Sequence, residues 1–157
     1  MLKIKNIFSY DTVIGKVFIA EKNNKITNLY FKKPADLESF AFCETSSIKN
    51  AARQMDMYLK GRLKKFKLNL NPEVSVYTKK VLDELVKIPY GQTISYMDLA
   101  KKISNSAHAR AVASANGRNP LPLFIPCHRV VRANGCIGGY LGGIKIKKLL
   151  LELENAK

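Results

Sequence analysis

The sequence predicts an α+β protein in two parts: a small N-terminal α/β lobe on an antiparallel sheet, residues 1–72, and a mostly helical C-terminal lobe, residues 73–157. Three observations predict it. β-rich runs flank an Asn23-Asn24 turn, the pattern breaks at Pro72, and beyond it apolar residues recur at helical spacing around a helix-turn-helix signature.

In order along the chain, TVIGKVFIAEKNNKITNLYF reads as a hairpin. Ser46 or Ser47 then caps a helix with Ile48, Ala52, Met55 and Leu59 on one stripe and Gly61 at its end. Phe66, Leu68 and Leu70 alternate with Lys67 and Asn69, which predicts a short edge-like strand. Past Pro72, the residues Val81, Leu82, Leu85 and Val86 mark an amphipathic helix that stops before Pro89-Tyr90-Gly91. Ser95 with Asp98 three residues on is a capping-box signature for the helix carrying Met97, Leu99, Ala100 and Ile103.

Ser104-Asn105-Ser106 turns the chain into AHARAVASANG, a second helix ending at Gly117. That helix is nearly all small residues around Arg110. A slim surface suits close approach to a minor groove, which bulky side chains would block. The same pattern also describes a tightly packed core helix with one surface arginine.

Composition narrows the class. A formal charge of +15, from 27 Lys and Arg against 12 Asp and Glu, suits a polyanionic partner, nucleic acid first, although a lysine-rich solvent face gives the same total. Cys43, Cys127 and Cys136 cannot all pair and have no scaffold spacing, which fits a reducing compartment. With only His108 and His128 beside them, no metal site is expected. No apolar run approaches the roughly 20 residues that cross a bilayer, so the sequence predicts a soluble cytoplasmic protein, nuclear if eukaryotic, with no membrane partner.

The segment LFIPCHRVV holds Cys127 between Pro126 and His128. A thiol attacks as thiolate, and at an ordinary pKa roughly 3 % is ionised at neutral pH, so a nucleophilic role requires a base or a lowered pKa. Neighbours on a regular strand face opposite ways, so Cys127 and His128 cooperate only if the chain turns after Pro126 or a water bridges them. The C-terminal helix with Leu149, Leu150 and Leu153 offers Glu152 or Glu154 as a third member, and periodicity does not choose between them. A buried structural cysteine is the bland alternative. Five glycines in RANGCIGGYLGG then make a loop that presents Tyr140, either as a pocket wall or as a plain cluster of turns.

Together, IPCHRVV, preceded by ISY, ARAV and NGRNP and followed by GGYLGG, resembles the O6-alkylguanine-DNA alkyltransferases over about residues 76–154. The N-terminal lobe is similar in outline only. The resemblance implies a ribonuclease H-like N-terminal lobe and a winged-helix-like C-terminal lobe. It implies DNA repair without a cofactor, by a single irreversible transfer of an alkyl group from O6 of guanine, with O4 of thymine as a second candidate, after minor-groove binding and base flipping. The implied partner is double-stranded DNA containing O6-alkylguanine, bound by a monomer with cooperativity left open.

By the same resemblance Cys127 is the alkyl acceptor, His128 its base through a water, and Glu154 the carboxylate that orients His128. Asn119 braces the turn, Tyr96 donates a proton toward the guanine ring, and Arg110 fills the stack that the flipped nucleotide leaves. Ala109, Ala111, Ser95 and Arg118 are implied DNA contacts, and Tyr140, Leu141, Gly138, Gly139 and Val130 the base pocket. The chain departs from the family at Leu141, where serine or alanine is usual, which points to a narrower range of adducts. It departs again at Lys148-Leu149 and in ARAVAS. Two other readings stand beside it: a Cys-His-Glu hydrolase, which leaves Arg110 and the charge unexplained, and a lesion sensor, whose relatives lack the cysteine that Cys127 supplies.

Overall fold

The computed structural model describes residues 4–104 and 108–156, so Asn105 and Ser106 of the expected interhelical turn, and Ala107 of the expected second helix, lie outside the described residues. The fold is α+β and divides into two compact units, Met1–Glu73 and Val74–Lys157.

In the first unit β1 (Asn6–Thr12), β2 (Gly15–Lys22), β3 (Lys25–Tyr30) and β4 (Ala41–Phe42) form one sheet in the order β3-β2-β1-β4. Asn23 and Asn24 both have positive φ, 55° and 65°, the conformation of a two-residue hairpin turn whose twist matches the strands. Glu21 holds that turn: its buried carboxylate accepts from the Asn24 amide at 2.9 Å and from Asn6 at 2.7 Å. β2 is central, and Val17 through Glu21 are buried on both of its faces. Ile7, Phe18 and Ala20 form a cluster covered by Tyr30, Leu37 and Phe40, and helix α1 (Ser46–Leu59) packs against the sheet.

Three expectations for this unit are corrected. The cap of α1 is Thr45, whose hydroxyl accepts from the Ile48 amide at 3.2 Å, rather than Ser46 or Ser47. Its buried stripe ends on Tyr58, with Leu59 only half-buried. Residues 66–70 are not a strand. The side-chain amide of Gln54 takes both the N–H and the carbonyl of Lys67, at 2.9 and 3.1 Å, so only Leu70 bridges to Ile26. Alternation was present, but the ladder partners were already bound elsewhere.

The second unit contains helices α2 (Val76–Val86), α3 (Tyr96–Ile103), α4 (Ala109–Gly117) and α5 (Ile144–Leu153), with two-residue strands β5 (Ile94–Ser95) and β6 (Val130–Val131) paired in parallel. Ser75 and Ser95 cap α2 and α3 by accepting from the amides of Thr78 and Asp98. Val81, Leu82, Leu85, Leu99 and Ala100 are buried as the periodicity requires, whereas Val86 and Met97 face solvent. In α5 the buried face is Lys147 and Leu150, and Leu149 is exposed. Among the described residues no helix is long and apolar enough to cross a membrane.

Candidate active site

The segment around Cys127 is a turn, one of the two arrangements that the sequence left open. Pro126, at φ −78° and ψ 62°, forms an inverse γ-turn closed by the Cys127 amide on the Ile125 carbonyl at 2.7 Å, and a 3-10 turn follows over Cys127–Arg129. Three residues per turn spread the three side chains about 120° apart. Cys127 therefore lines a cavity while His128 and Arg129 reach Glu154.

Other groups hold this turn. Asn119 donates to the Ile125 carbonyl at 3.0 Å and accepts from the Leu121 amide at 2.9 Å, and Asn116 donates to the Cys127 carbonyl at 3.4 Å. Burial dominates the thiol. It pushes Cys127 up to about 11, against the opposing pull of the Asn119 hydrogen bond and the Lys147 ammonium. The cysteine at rest is a neutral thiol, contrary to the lowered value that a nucleophilic role suggests.

Glu154, at the C-terminal end of α5, lies fully inside the unit and collects four donors. His128 Nε2 lies 2.7 Å from Oε2, Arg129 binds through Nε and a terminal nitrogen at 2.8 and 2.9 Å, and the Gly91 amide reaches Oε1 at 3.1 Å. Glu152 is exposed, so the fold resolves the pair that periodicity left open. An ionised carboxylate only accepts, so His128 Nε2 carries the proton and Nδ1 is the basic nitrogen. Burial lowers the pKa of His128 despite the pull of Glu154, which keeps the imidazole neutral near pH 7.

Two residues of the site were not singled out in the sequence. Arg129 neutralises Glu154, donates to the Ile88 carbonyl at 2.7 Å and lies 5.7 Å from the centre of the Tyr90 ring. Lys147 is fully buried, with its Nζ bonded to the carbonyls of Val130 at 2.6 Å and Gly139 at 3.1 Å. Desolvation lowers its pKa to about 8. The Lys147 ammonium is 5.9 Å from the centre of the Tyr96 ring. Gly138 is wedged beside both: at φ 77°, an added Cβ would stand 3.2 Å from the Tyr96 hydroxyl and 3.4 Å from Lys147 Nζ.

The cavity in front of Cys127 has a volume of about 520 Å³, within the range of small-molecule sites. Its walls are Tyr96 from α3, Ala109, Arg110, Ala113, Asn116 and Gly117 from α4, Arg132 after β6, and Gly139, Tyr140 and Leu141 from the glycine loop. Leu141 is 62 % exposed at the mouth. Gly138 and Val130 are not among the lining residues: Val130 is buried in β6, its carbonyl held by Lys147. Ser95 caps α3, Ala111 is exposed on α4, and Arg118 bonds to Ser114 and Thr78.

Comparisons with known proteins agree along the whole chain. Residues 76–156 match the family described as 6-O-methylguanine DNA methyltransferase, DNA binding domain, and residues 8–72 match its ribonuclease-like domain. The methylated-DNA–protein-cysteine methyltransferase of Methanosarcina acetivorans is 37 % identical over 150 residues, covering 94 % of this chain and 96 % of that protein. The constitutive methylated-DNA–protein-cysteine methyltransferase of Bacillus subtilis is 35 % identical over 151 residues, covering 92 % of each. Among solved structures, Mycobacterium tuberculosis OGT in complex with DNA superposes with a TM-score of 0.89 at 35 % identity, covering 96 % of this chain and 92 % of that one.

Proposed function

The chain belongs to the 6-O-methylguanine DNA methyltransferase family, and from that premise we propose that Cys127 takes the alkyl group from O6 of a guanine extruded from duplex DNA into the cavity. The protein is a methylated-DNA–protein-cysteine S-methyltransferase that repairs DNA by alkyl transfer to cysteine. The observation that carries the residue assignment is the position of Cys127: of the three thiols it alone lines the cavity, on a turn braced by Asn119 and Asn116.

The chemistry follows from the geometry. A base atom is reached only by extrusion, which costs a few kcal/mol that an inserted Arg110 and a fitted pocket offset. The small residues of α4 let its backbone approach the groove. With the base in place, His128 Nδ1 takes the thiol proton through a water, and Lys147 stabilises the thiolate. The sulfur attacks the alkyl carbon, the carbon–O6 bond breaks, and the departing guanine takes a proton from Tyr96, whose hydroxyl burial keeps protonated. The thioether product is inert to water, so each molecule acts once. The lesion specificity, action as a monomer and a cytoplasmic location belong to the same proposal, the last supported by free thiols at Cys43, Cys127 and Cys136.

Incubation with a duplex carrying O6-methylguanine is expected to add one methyl group to Cys127, read by intact mass and peptide mapping; an unchanged mass refutes the proposal. Across a series of larger alkyl groups, transfer falls off with size, and Leu141→Ser at the cavity mouth restores the larger ones. The pH profile carries a second signature. The neutral imidazole is the base and its pKa is depressed, so transfer stays level from pH 7 down through the ordinary imidazole value and falls only below it. An acid limb at or above pH 6.5 in single-turnover rates would exclude His128 as that base.

A further inference from the structure

Two guanidinium groups stand at the cavity, and the neutral base it would hold explains neither. Arg110 comes from α4 and Arg132 from the turn after β6, and no carboxylate is among the lining residues. Neither arginine has an ion pair or a side-chain hydrogen bond among the described residues, whereas Arg129, Arg118 and Arg53 are all bonded. Two like charges share one mouth without an internal counter-ion.

The backbone aims Arg132 there. Ser95 pairs with Val131 in the parallel β5–β6 ladder, so the next residue on each strand, Tyr96 and Arg132, leaves the ladder on the same side. The turn that follows is closed twice, by the Gly135 amide on the Arg132 carbonyl at 2.9 Å and the Arg132 amide on the Cys136 carbonyl at 2.9 Å. Asn134 accepts from the Cys136 amide at 3.0 Å, and Gly135 supplies the positive φ of 86°. Arg132 is thus an exposed cation, without an ion pair or side-chain hydrogen bond among the described residues, on a hydrogen-bonded turn beside the Cys127 cavity. A nucleotide that swings its base into that cavity carries its phosphodiesters with it, away from the groove that α4 would approach.

We propose that Arg132 clamps a phosphodiester adjoining the extruded nucleotide, holding the rotated backbone while the base occupies the cavity, a task separate from that of Arg110 in the stack. The inference rests on the reading of the cavity as the seat of an extruded guanine. A guanidinium matches a phosphate with two parallel donors, and such charge-assisted bonds are among the stronger ones in a wet interface.

The test pairs Arg132→Gln with duplexes in which single phosphates flanking O6-methylguanine are replaced by uncharged methylphosphonate, read as single-turnover transfer rates. One such replacement slows the wild type roughly tenfold, Arg132→Gln slows the unmodified duplex by a similar factor, and the two together slow it no further. Arg132→Lys recovers part of the rate. Additive losses at every flanking phosphate, or an unchanged rate for Arg132→Gln, overturn the clamp. So does an equal loss toward the free O6-methylguanine nucleoside, which has no phosphate and would place the effect of Arg132 on the neighbouring Tyr96 hydroxyl instead. A wild type that transfers nothing from the unmodified duplex removes the alkyl-transfer reading itself, and the clamp with it.

Discussion

Cys127→Ala is expected to abolish alkyl transfer while DNA binding and folding persist. The side chain lines the cavity, and its hydrogen bond to Asn119 is additional to the bonds that close the turn, which run through backbone groups and from Asn119 to Ile125 and Leu121. Removing one buried sulfur costs about 1 kcal/mol or less, far from unfolding a domain. The variant should therefore bind an O6-methylguanine duplex with wild-type affinity and the same steep weakening with salt, yet show no mass increase after prolonged incubation. A retained adduct would mean that Cys43 or Cys136, both exposed, is the acceptor. Loss of the folded state would instead make Cys127 a packing residue.

The second large effect concerns Arg129. Removing it strands the buried Glu154 carboxylate with His128 and one amide, and breaking a buried pair from one side typically costs about 3–5 kcal/mol. Arg129→Met should lower the melting temperature by 10 °C or more, on the order expected for a domain of this size. Glu154→Gln introduced into that variant should recover much of the loss, because the uncompensated charge goes with it. It should not recover transfer, since the imidazole then loses its anchor. Simple additivity of the two substitutions in thermal melts would show that the pair is not coupled.

How much of this was legible depends on which physical signal each residue leaves. Cys127, His128 and Arg110 stand in short motifs with fixed spacing, and the Asn23-Asn24 hairpin and the Ser95 cap follow from backbone chemistry that few residues satisfy. Glu154 over Glu152 was legible through the family resemblance but not from the periodicity of Leu149, Leu150 and Leu153, and the burial of Glu154 agrees with that choice. Arg129 and Lys147 were passed over because charged residues are presumed solvated. Yet Lys147, Leu150 and Glu154 are spaced three and four apart on one helical face, so a lysine in the buried stripe was a readable anomaly. The supposed strand at 66–70 failed for the opposite reason: its alternation was real, but Gln54 had claimed the backbone of Lys67.

An acceptor cysteine that acts once, as proposed for Cys127, has to be kept from other electrophiles. Burial pushes the Cys127 thiol up to about 11, so at neutral pH peroxides and stray electrophiles meet a buried, neutral and unreactive sulfur. The exposed Cys43 and Cys136 meet those agents first. On the proposed reading, selectivity and shelf life share one origin: the burial that keeps the resting Cys127 thiol neutral also confines its reaction to a guest that brings an alkyl group into the cavity.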